Sequence, residues 1–528
     1  MIVLIEEFHY SGHNYLYIIC WISSGVTVML NAYLDLMELQ NPGYKADFGE
    51  LCSSANDILE SYCDSTKEFY DICNTFCLCM NPFLSLMSAV AGAQKDNGAW
   101  FERYVHEMTK EIEPMQIGLE HTVIHEDHRM QVLKVDTDSY PEYEGAGRYG
   151  KMAVTVPFMR GPALSDYGND ERTSITRQAM KNGFSPYVIV FKEGSDDNKF
   201  DSHADYRESA RGTLRAIKAD GDGEAPHLAN ICAAGYKFTI AVAEDMKKQK
   251  EEAFSNEYHI NDLLGDASLR AQDITHTEID SLVKSITNVG VPWQVSDDAP
   301  IKKAADRIPD SIIEHALREG DYITDGEPMA LFWKIFTPEH AFDYLFKSDL
   351  DIIERTMDPD YDPSMSDVFR SWMEKDTRPL PGSLHAELVD RVFKRGELPD
   401  RFGHVLGYLD VPLVFLTGGK DDISPTEDCR SMACDVGTDP EHVFFIEKSD
   451  KGHSGIYISA KTVSKAYPEE EGWELSENGY LKLDEGSWAD VFGLMKCYSA
   501  RGCEMAGIDQ GIVNAEELET LDLLPLVR

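Results

Sequence analysis

Apolar positions recur at three- and four-residue steps between Ala55 and Val90, at Ile58, Leu59, Tyr62, Phe69, Ile72, Cys73 and Phe76, until Asn81-Pro82 breaks the run. That period places them on one face of a helix, so an N-terminal helical region is predicted. The pattern then changes. Short β-branched or aromatic runs follow at Gln131–Val135, Ala153–Phe158 and Tyr187–Phe191, each bounded by Gly, Pro or Asp. Between the last two lies the helix-like stretch Thr173–Lys181, closed by Asn182-Gly183. A helix with charged faces, Ser202–Lys218, precedes the next strand-like run, His227–Ile231. Alternation of strand and helix at this spacing predicts an α/β fold with a mostly parallel, doubly wound sheet covered on both faces.

From about Glu251 to Asp400 the alternation stops, and the chain turns acidic, helix-rich and interrupted by prolines, as in an inserted helical cap. Sheet-like runs resume at Val411–Thr417 and Val443–Ile446. The predicted organisation is therefore a helical region at 1–120, the first part of an α/β core at 121–250, a cap at 251–400, the second part of the core at 401–470, and an extension at 471–528 without assignable chemistry. A chain of 528 residues is too long for one compact core and has room for such additions.

Charge narrows the partners. Asp and Glu number 93 against 49 Lys and Arg, a formal charge of -44, and a field of that sign repels nucleic acid and anionic membranes. The acids are spread along the chain, which suits a surface kept soluble in high salt and equally an ordinary acidic protein. Eleven cysteines without regular spacing predict no disulfide framework, so the expected location is a reducing cytoplasm. Cys52, Cys63, Cys73, Cys77 and Cys79 gather in the helical region, but only Cys77 and Cys79 are close-spaced, so buried helical cysteines are expected there and no metal. Tyr15 to Leu30 is apolar yet short, holds two serines, a threonine and a glycine, and lacks flanking basic residues. It reads as a buried or partner-binding helix, or as an over-extended start upstream of Met29 or Met37, in preference to a membrane span.

The candidate chemistry begins at Leu228-Ala229-Asn230-Ile231-Cys232-Ala233-Ala234-Gly235-Tyr236, which runs from a strand through a cysteine into small residues and then a helical pattern. A nucleophile elbow needs that order: a sharp turn lifts the side chain off the sheet, and small neighbours let strand and helix approach. At a helix N-terminus the dipole favours a thiolate on Cys232. The backbone N–H of Ala233 is the expected first oxyanion donor; the second is expected from the loop after Ala153–Phe158, at Met159 or Arg160. A cysteine beside alanines at a strand end is often only packing, so the elbow gains weight only if an acid and a base stand later in the chain in the right order.

Two later strands each end in a loop with a suitable residue. Val411–Thr417 leads into Gly418-Gly419-Lys420-Asp421-Asp422-Ile423-Ser424-Pro425, and Val443–Ile446 leads to Gly452-His453-Ser454-Gly455. Loops beyond the C-terminal ends of strands are where doubly wound folds place catalytic groups. The order nucleophile, acid, base is that of α/β hydrolases, so Cys232, Asp421 and His453 form the candidate triad of an α/β-hydrolase fold. Of the two adjacent carboxylates, Asp421 is expected to face His453, because successive residues leaving a strand point to opposite sides.

These residues resemble the poly(3-hydroxyalkanoate) synthases and their relatives, the intracellular poly(3-hydroxybutyrate) depolymerases, from about Thr122 to Pro468. The likeness is carried by Cys232-Ala233-Ala234-Gly235, by Ser371-Trp372 through Arg378-Pro379-Leu380-Pro381-Gly382 to Phe393 and Leu398, by Asp421 to Pro425, and by Gly452 to Ser459. Ala234-Gly235, Pro425 and the Gly-Ile-Tyr-Ile-Ser after the histidine are similar to the synthases, whereas Asp422-Ile423-Ser424 is similar to the depolymerases. The resemblance implies a Cys-Asp-His enzyme that takes a hydroxyacyl-coenzyme A thioester or a polyester as substrate, without a cofactor. It also implies association with a polymer granule, with self-association or a helical partner subunit. Two departures stand out: Asn230, where the family has glycine, is expected to crowd the elbow, and Ala233 replaces a common glutamine. A scaffold that binds granule or partner through its N-terminal helices, with its elbow drifted, is the reading from a different class.

Overall fold

The structure is a computed structural model, and the description covers residues 113–157, 160–264, 279–306, 310–319, 378–396, 405–421, 423–464, 474–475, 481–484 and 486–500, with Val368, Ser371 and Asp376. The chain divides into two units, Met1–Asp96 and Asn97–Arg528, and all the described residues belong to the second. The expected N-terminal helices, Tyr15 to Leu30 and the five clustered cysteines lie outside the described residues. Among the described residues no helix is long and apolar enough to cross a membrane.

Ten strands form one sheet in the order β1-β2-β4-β3-β5-β6-β7-β8-β10-β9. They are β1 (His121–Glu126), β2 (Met130–Val135), β3 (Lys151–Thr155), β4 (Ser185–Phe191), β5 (His227–Ile231), β6 (Ser285–Val289), β7 (Leu413–Gly418), β8 (Val443–Lys448), β9 (Glu474–Leu475) and β10 (Leu481–Asp484). From β4 through β3, β5, β6, β7 and β8 to β10 every pairing is parallel, while β1, β2 and β9 join antiparallel. Central strands buried on both faces can read as continuous apolar runs. Leu413-Val414-Phe415-Leu416 does, with every residue of β7 buried. Helices cover both faces. On one, α2 (His203–Ala219) and α3 (Ala234–Leu264) pack over Leu228, Ile286 and Phe415; on the other, α1 (Ile175–Lys181) and α5 (Trp488–Ala500) pack over Ala229, Ile231, Val289 and Val414. A short helix α4 (Thr426–Arg430) follows β7. Helix α2 starts at a full capping box, with the Ser202 hydroxyl accepting from the Asp205 N–H and the Asp205 carboxylate accepting from the Ser202 N–H. This sheet, with turn-and-helix after β5 and loops after β7 and β8 at one edge, is an α/β-hydrolase fold.

Two predicted boundaries need correction. The range 251–400, expected to be a cap throughout, contains β6, paired between β5 and β7 at the centre of the sheet. Ser-Ile-Thr-Asn-Val does not read as a central strand, because its Thr287 and Asn288 are polar yet fully buried. The extension 471–528 also contributes to the core: β10 pairs with β8, and the fully buried Trp488 donates its indole N–H to the Ile456 carbonyl at 3.0 Å.

The core holds three histidines neutral by burial: His227 is pushed down to about 3, His385 to about 4, and His203 well below 6.5. His227 is satisfied in that state, with both ring nitrogens 2.7 Å from serine hydroxyls, those of Ser285 and Ser499. A base whose folded pKa is depressed binds a proton more readily unfolded, so its stabilisation is present above about 6.5 and is lost as pH falls toward the folded value, at about 1.4 kcal/mol per pH unit for each group. His453 acts in the opposite sense, since its pKa is raised: its contribution is complete below about 6.5 and is lost as pH rises through the folded value. The unfolding midpoint of the chain is expected to drop between pH 7 and 5, and to drop less in His227→Gln. Equal slopes for the two proteins would refute this account of His227.

Candidate active site

Cys232 and Ala233 are the two residues between β5 and α3. The Cys232 N–H donates to the Val289 carbonyl of β6 at 2.9 Å, and its own carbonyl accepts from the Gly235 N–H at 3.0 Å. Between those bonds its backbone is forced to φ +55°, the left-handed region. For a non-glycine residue this costs on the order of 1–3 kcal/mol and turns the side chain out of the sheet. Small neighbours are required here, because a Cβ on Gly235 would lie 2.6 Å from a Val291 methyl.

Asn230 does not crowd this turn, contrary to the sequence expectation. It is fully buried in β5, and its amide N–H groups donate to Thr239 Oγ1 at 3.2 Å and Asn288 Oδ1 at 3.1 Å while its oxygen accepts from Thr155 at 3.3 Å. A buried amide is tolerated when its donors and acceptor are matched, and these bonds tie β3, β5, β6 and α3 together directly beneath the elbow.

The loops after β7 and β8 meet backbone to backbone. Gly419 donates to the Lys448 carbonyl at 3.0 Å and Lys420 to the Lys451 carbonyl at 2.9 Å. The approach is open only to glycine, since a Cβ on Gly418 would lie 2.4 Å from the Lys451 oxygen. This register brings Asp421 to His453, whose Nδ1–H donates to Asp421 Oδ2 at 2.8 Å. The other oxygen, Oδ1, accepts from the Ile423 N–H at 3.0 Å and the Ser424 N–H at 2.7 Å, so the carboxylate is fixed from both sides. Asp422 lies outside the described residues. Ser424 also donates to the Gly290 carbonyl at 2.9 Å, linking the acid's loop to the end of β6.

With Nδ1 held by a carboxylate, Nε2 is the nitrogen of His453 left for other partners. Nε2 is buried and has no well-directed hydrogen bond among the described residues. Burial alone would lower the pKa of His453; the Asp421 charge, then the negative sulfur of Cys232, outweigh it and hold the imidazole well above its ordinary value of 6.5. Cys232 is thus among the groups that favour the protonated ring, and a cysteine partnered by a histidine is the arrangement that makes a sulfur nucleophilic at neutral pH.

Three supports escaped the sequence reading. Gly290, with φ +56°, leaves space that a Cβ would fill at 3.1 Å from His453 Cε1 and 3.0 Å from Ile456 Cδ1. Trp488 anchors the short helix after the histidine from the far end of the chain. Asp376 presses on the loop after β3: a Cβ on Gly161 would lie 2.5 Å from its Oδ1, and burial raises the Asp376 carboxyl to about 6. The oxyanion candidates fare differently. Ala233 is buried directly after Cys232; Arg160 is buried beside Gly161; Met159 lies outside the described residues.

The role of Gly290 gives a prediction. Gly290→Ala should slow catalytic turnover about tenfold or more while costing about 1–2 kcal/mol of stability, the penalty for a left-handed alanine, because the added methyl meets the imidazole. Turnover unchanged at a lowered unfolding midpoint would show that the ring tolerates the displacement.

The sheet topology is that of an α/β-hydrolase fold. No protein-family model and no curated protein matches the chain. Among solved structures it is similar to a thioesterase domain from the curacin biosynthetic pathway (8% identity over 65% of this chain and 96% of that one, TM-score 0.33). It is likewise similar to a monoacylglycerol lipase from Paleococcus ferrophilus (12% identity, 68% and 97%, TM-score 0.33) and to a thermophilic esterase from Thermogutta terrifontis (15% identity, 64% and 93%, TM-score 0.34). The fold assignment rests on the sheet topology of the chain itself.

Proposed function

We propose that the chain is an acyltransferase of the polyhydroxyalkanoate synthase type, working on hydroxyacyl-coenzyme A thioesters. The observation that carries this reading is a cysteine, in place of the commoner serine, at a strained elbow beside an aspartate-held histidine. The Cys232 sulfur attacks the thioester carbonyl, and the tetrahedral oxyanion is met by the Ala233 N–H and a donor from the loop after β3. The carbon–sulfur bond to coenzyme A breaks, with the proton on His453 passing to the departing thiolate. The acyl-enzyme is then attacked by the hydroxyl of a growing chain, which gives its proton back to His453 as the Cys232 thiolate leaves. Coenzyme A enters as part of the substrate, and no resident cofactor is needed.

The runner-up keeps every residue and replaces the hydroxyl by water, which makes the chain a depolymerase or thioesterase. Asp422-Ile423-Ser424 favours it on resemblance. Incubation with 3-hydroxybutyryl-coenzyme A separates the readings: coenzyme A release with polymer supports transfer, and release with free acid alone supports hydrolysis. No release, together with granule or partner binding that survives Cys232→Ala, would support a non-catalytic scaffold.

A further inference from the structure

Lys237 sits where a lysine should not. It lies in the first turn of α3, where the helix dipole opposes a cation, and its side chain is fully buried within an apolar face of the sheet. Its ammonium donates to the Ala233 carbonyl, one residue beyond Cys232, at 3.3 Å and lies 5.8 Å from the centre of the Phe191 ring. The titratable and charged groups that face it come from three elements: Cys232 at the elbow, Glu387 from the helix Gly382–Glu387, and Arg207 and the neutral His203 from α2.

Resting on the reading of Cys232 as nucleophile, we propose that Lys237 is a positioning residue that holds the elbow by its bond to Ala233 and supplies a buried positive charge to the Cys232 thiolate. Two costs, burial and the dipole, work against a cation there, so an anion must offset them. Burial pulls the ammonium down to about 7, Arg207 adds to that, and the partners that favour its charge are the Cys232 sulfur first and Glu387 second. Attraction between the ammonium and the sulfur is mutual: a thiolate that favours the proton on Lys237 is favoured by it in return. The bond to Ala233 also fixes the peptide plane next to the one whose N–H meets the oxyanion, where small displacements matter. The bland alternative is that Lys237 exists to pair with Glu387 and tie the 382–394 segment to the sheet.

Alkylation of Cys232 by iodoacetamide tests this without any substrate. Rates are followed by peptide mass spectrometry from pH 5.5 to 9 in wild type, Lys237→Met and Lys237→Arg, alongside unfolding midpoints. Lys237→Met should slow alkylation at pH 7 about tenfold and displace the rate profile to higher pH, because the neutral side chain cannot favour the thiolate. Its midpoint should hold or rise, since methionine fills the volume without a buried charge. Lys237→Arg should restore most of the rate. An unchanged profile in Lys237→Met, with a lowered midpoint matched by Glu387→Gln, would overturn the proposal in favour of the pairing role and leave the triad standing. Failure of wild-type Cys232 to alkylate in preference to Cys429, Cys434 and Cys497 would remove the nucleophile and this proposal together.

Discussion

Cys232→Ser is expected to lose at least about a hundredfold in acyl turnover while keeping its fold. The cause lies in His453. Asp421 and the Cys232 sulfur together hold its imidazole protonated well above the usual range, which suits a resting thiolate–imidazolium pair. A serine in the same place gives up its proton far less readily than a cysteine, and an imidazole held protonated is poorly placed to accept it. Loss of the sulfur's charge returns His453 part of the way toward neutrality, but Asp421 remains at 2.8 Å. The strained φ of +55° is a backbone property that serine tolerates no worse, so the unfolding midpoint should move little. Turnover in Cys232→Ser equal to wild type would exclude Cys232 from the chemistry.

Asp421→Asn should cost a hundredfold or more, given that a triad acid can matter about ten-thousandfold. Asparagine can still accept from the Ile423 and Ser424 N–H groups through its oxygen, so the loop should keep its shape. Its amide nitrogen would then face His453 Nδ1, donor against donor. The ring escapes by moving its proton to Nε2, the tautomer that cannot take a proton from an attacking hydroxyl or water. Asp422→Asn should do far less. The reverse ranking in kcat would transfer the acid's role to Asp422.

The sequence displayed the parts of this molecule that depend on local pattern. Val443–Ile446 and Tyr187–Phe191 are strands because their apolar, β-branched and aromatic residues suit a sheet buried on both faces, and that is visible in one dimension. The elbow and the Asp421 and His453 loops were legible for a related reason: each follows such a strand. What stayed hidden depends on partners distant in sequence. β6 is a central strand whose buried Asn288 is satisfied by Asn230 and Thr239, 58 and 49 residues away, so no period could mark it. Trp488 reaches Ile456 across 32 residues, and Gly290 matters only because His453 arrives beside it. Asn230 was misread for the same reason, as a crowded departure from glycine when its bonds across β3, β6 and α3 make it a tie.

The most direct measurement is the mass of the acyl-enzyme. Rapid acid quenching of the chain with 3-hydroxybutyryl-coenzyme A, followed by peptide mapping, should place a single hydroxybutyryl group on the peptide containing Cys232, with none on that peptide in Cys232→Ala. Coenzyme A release that continues in Cys232→Ala, or an acyl group found on another residue of the wild-type chain, would contradict the account.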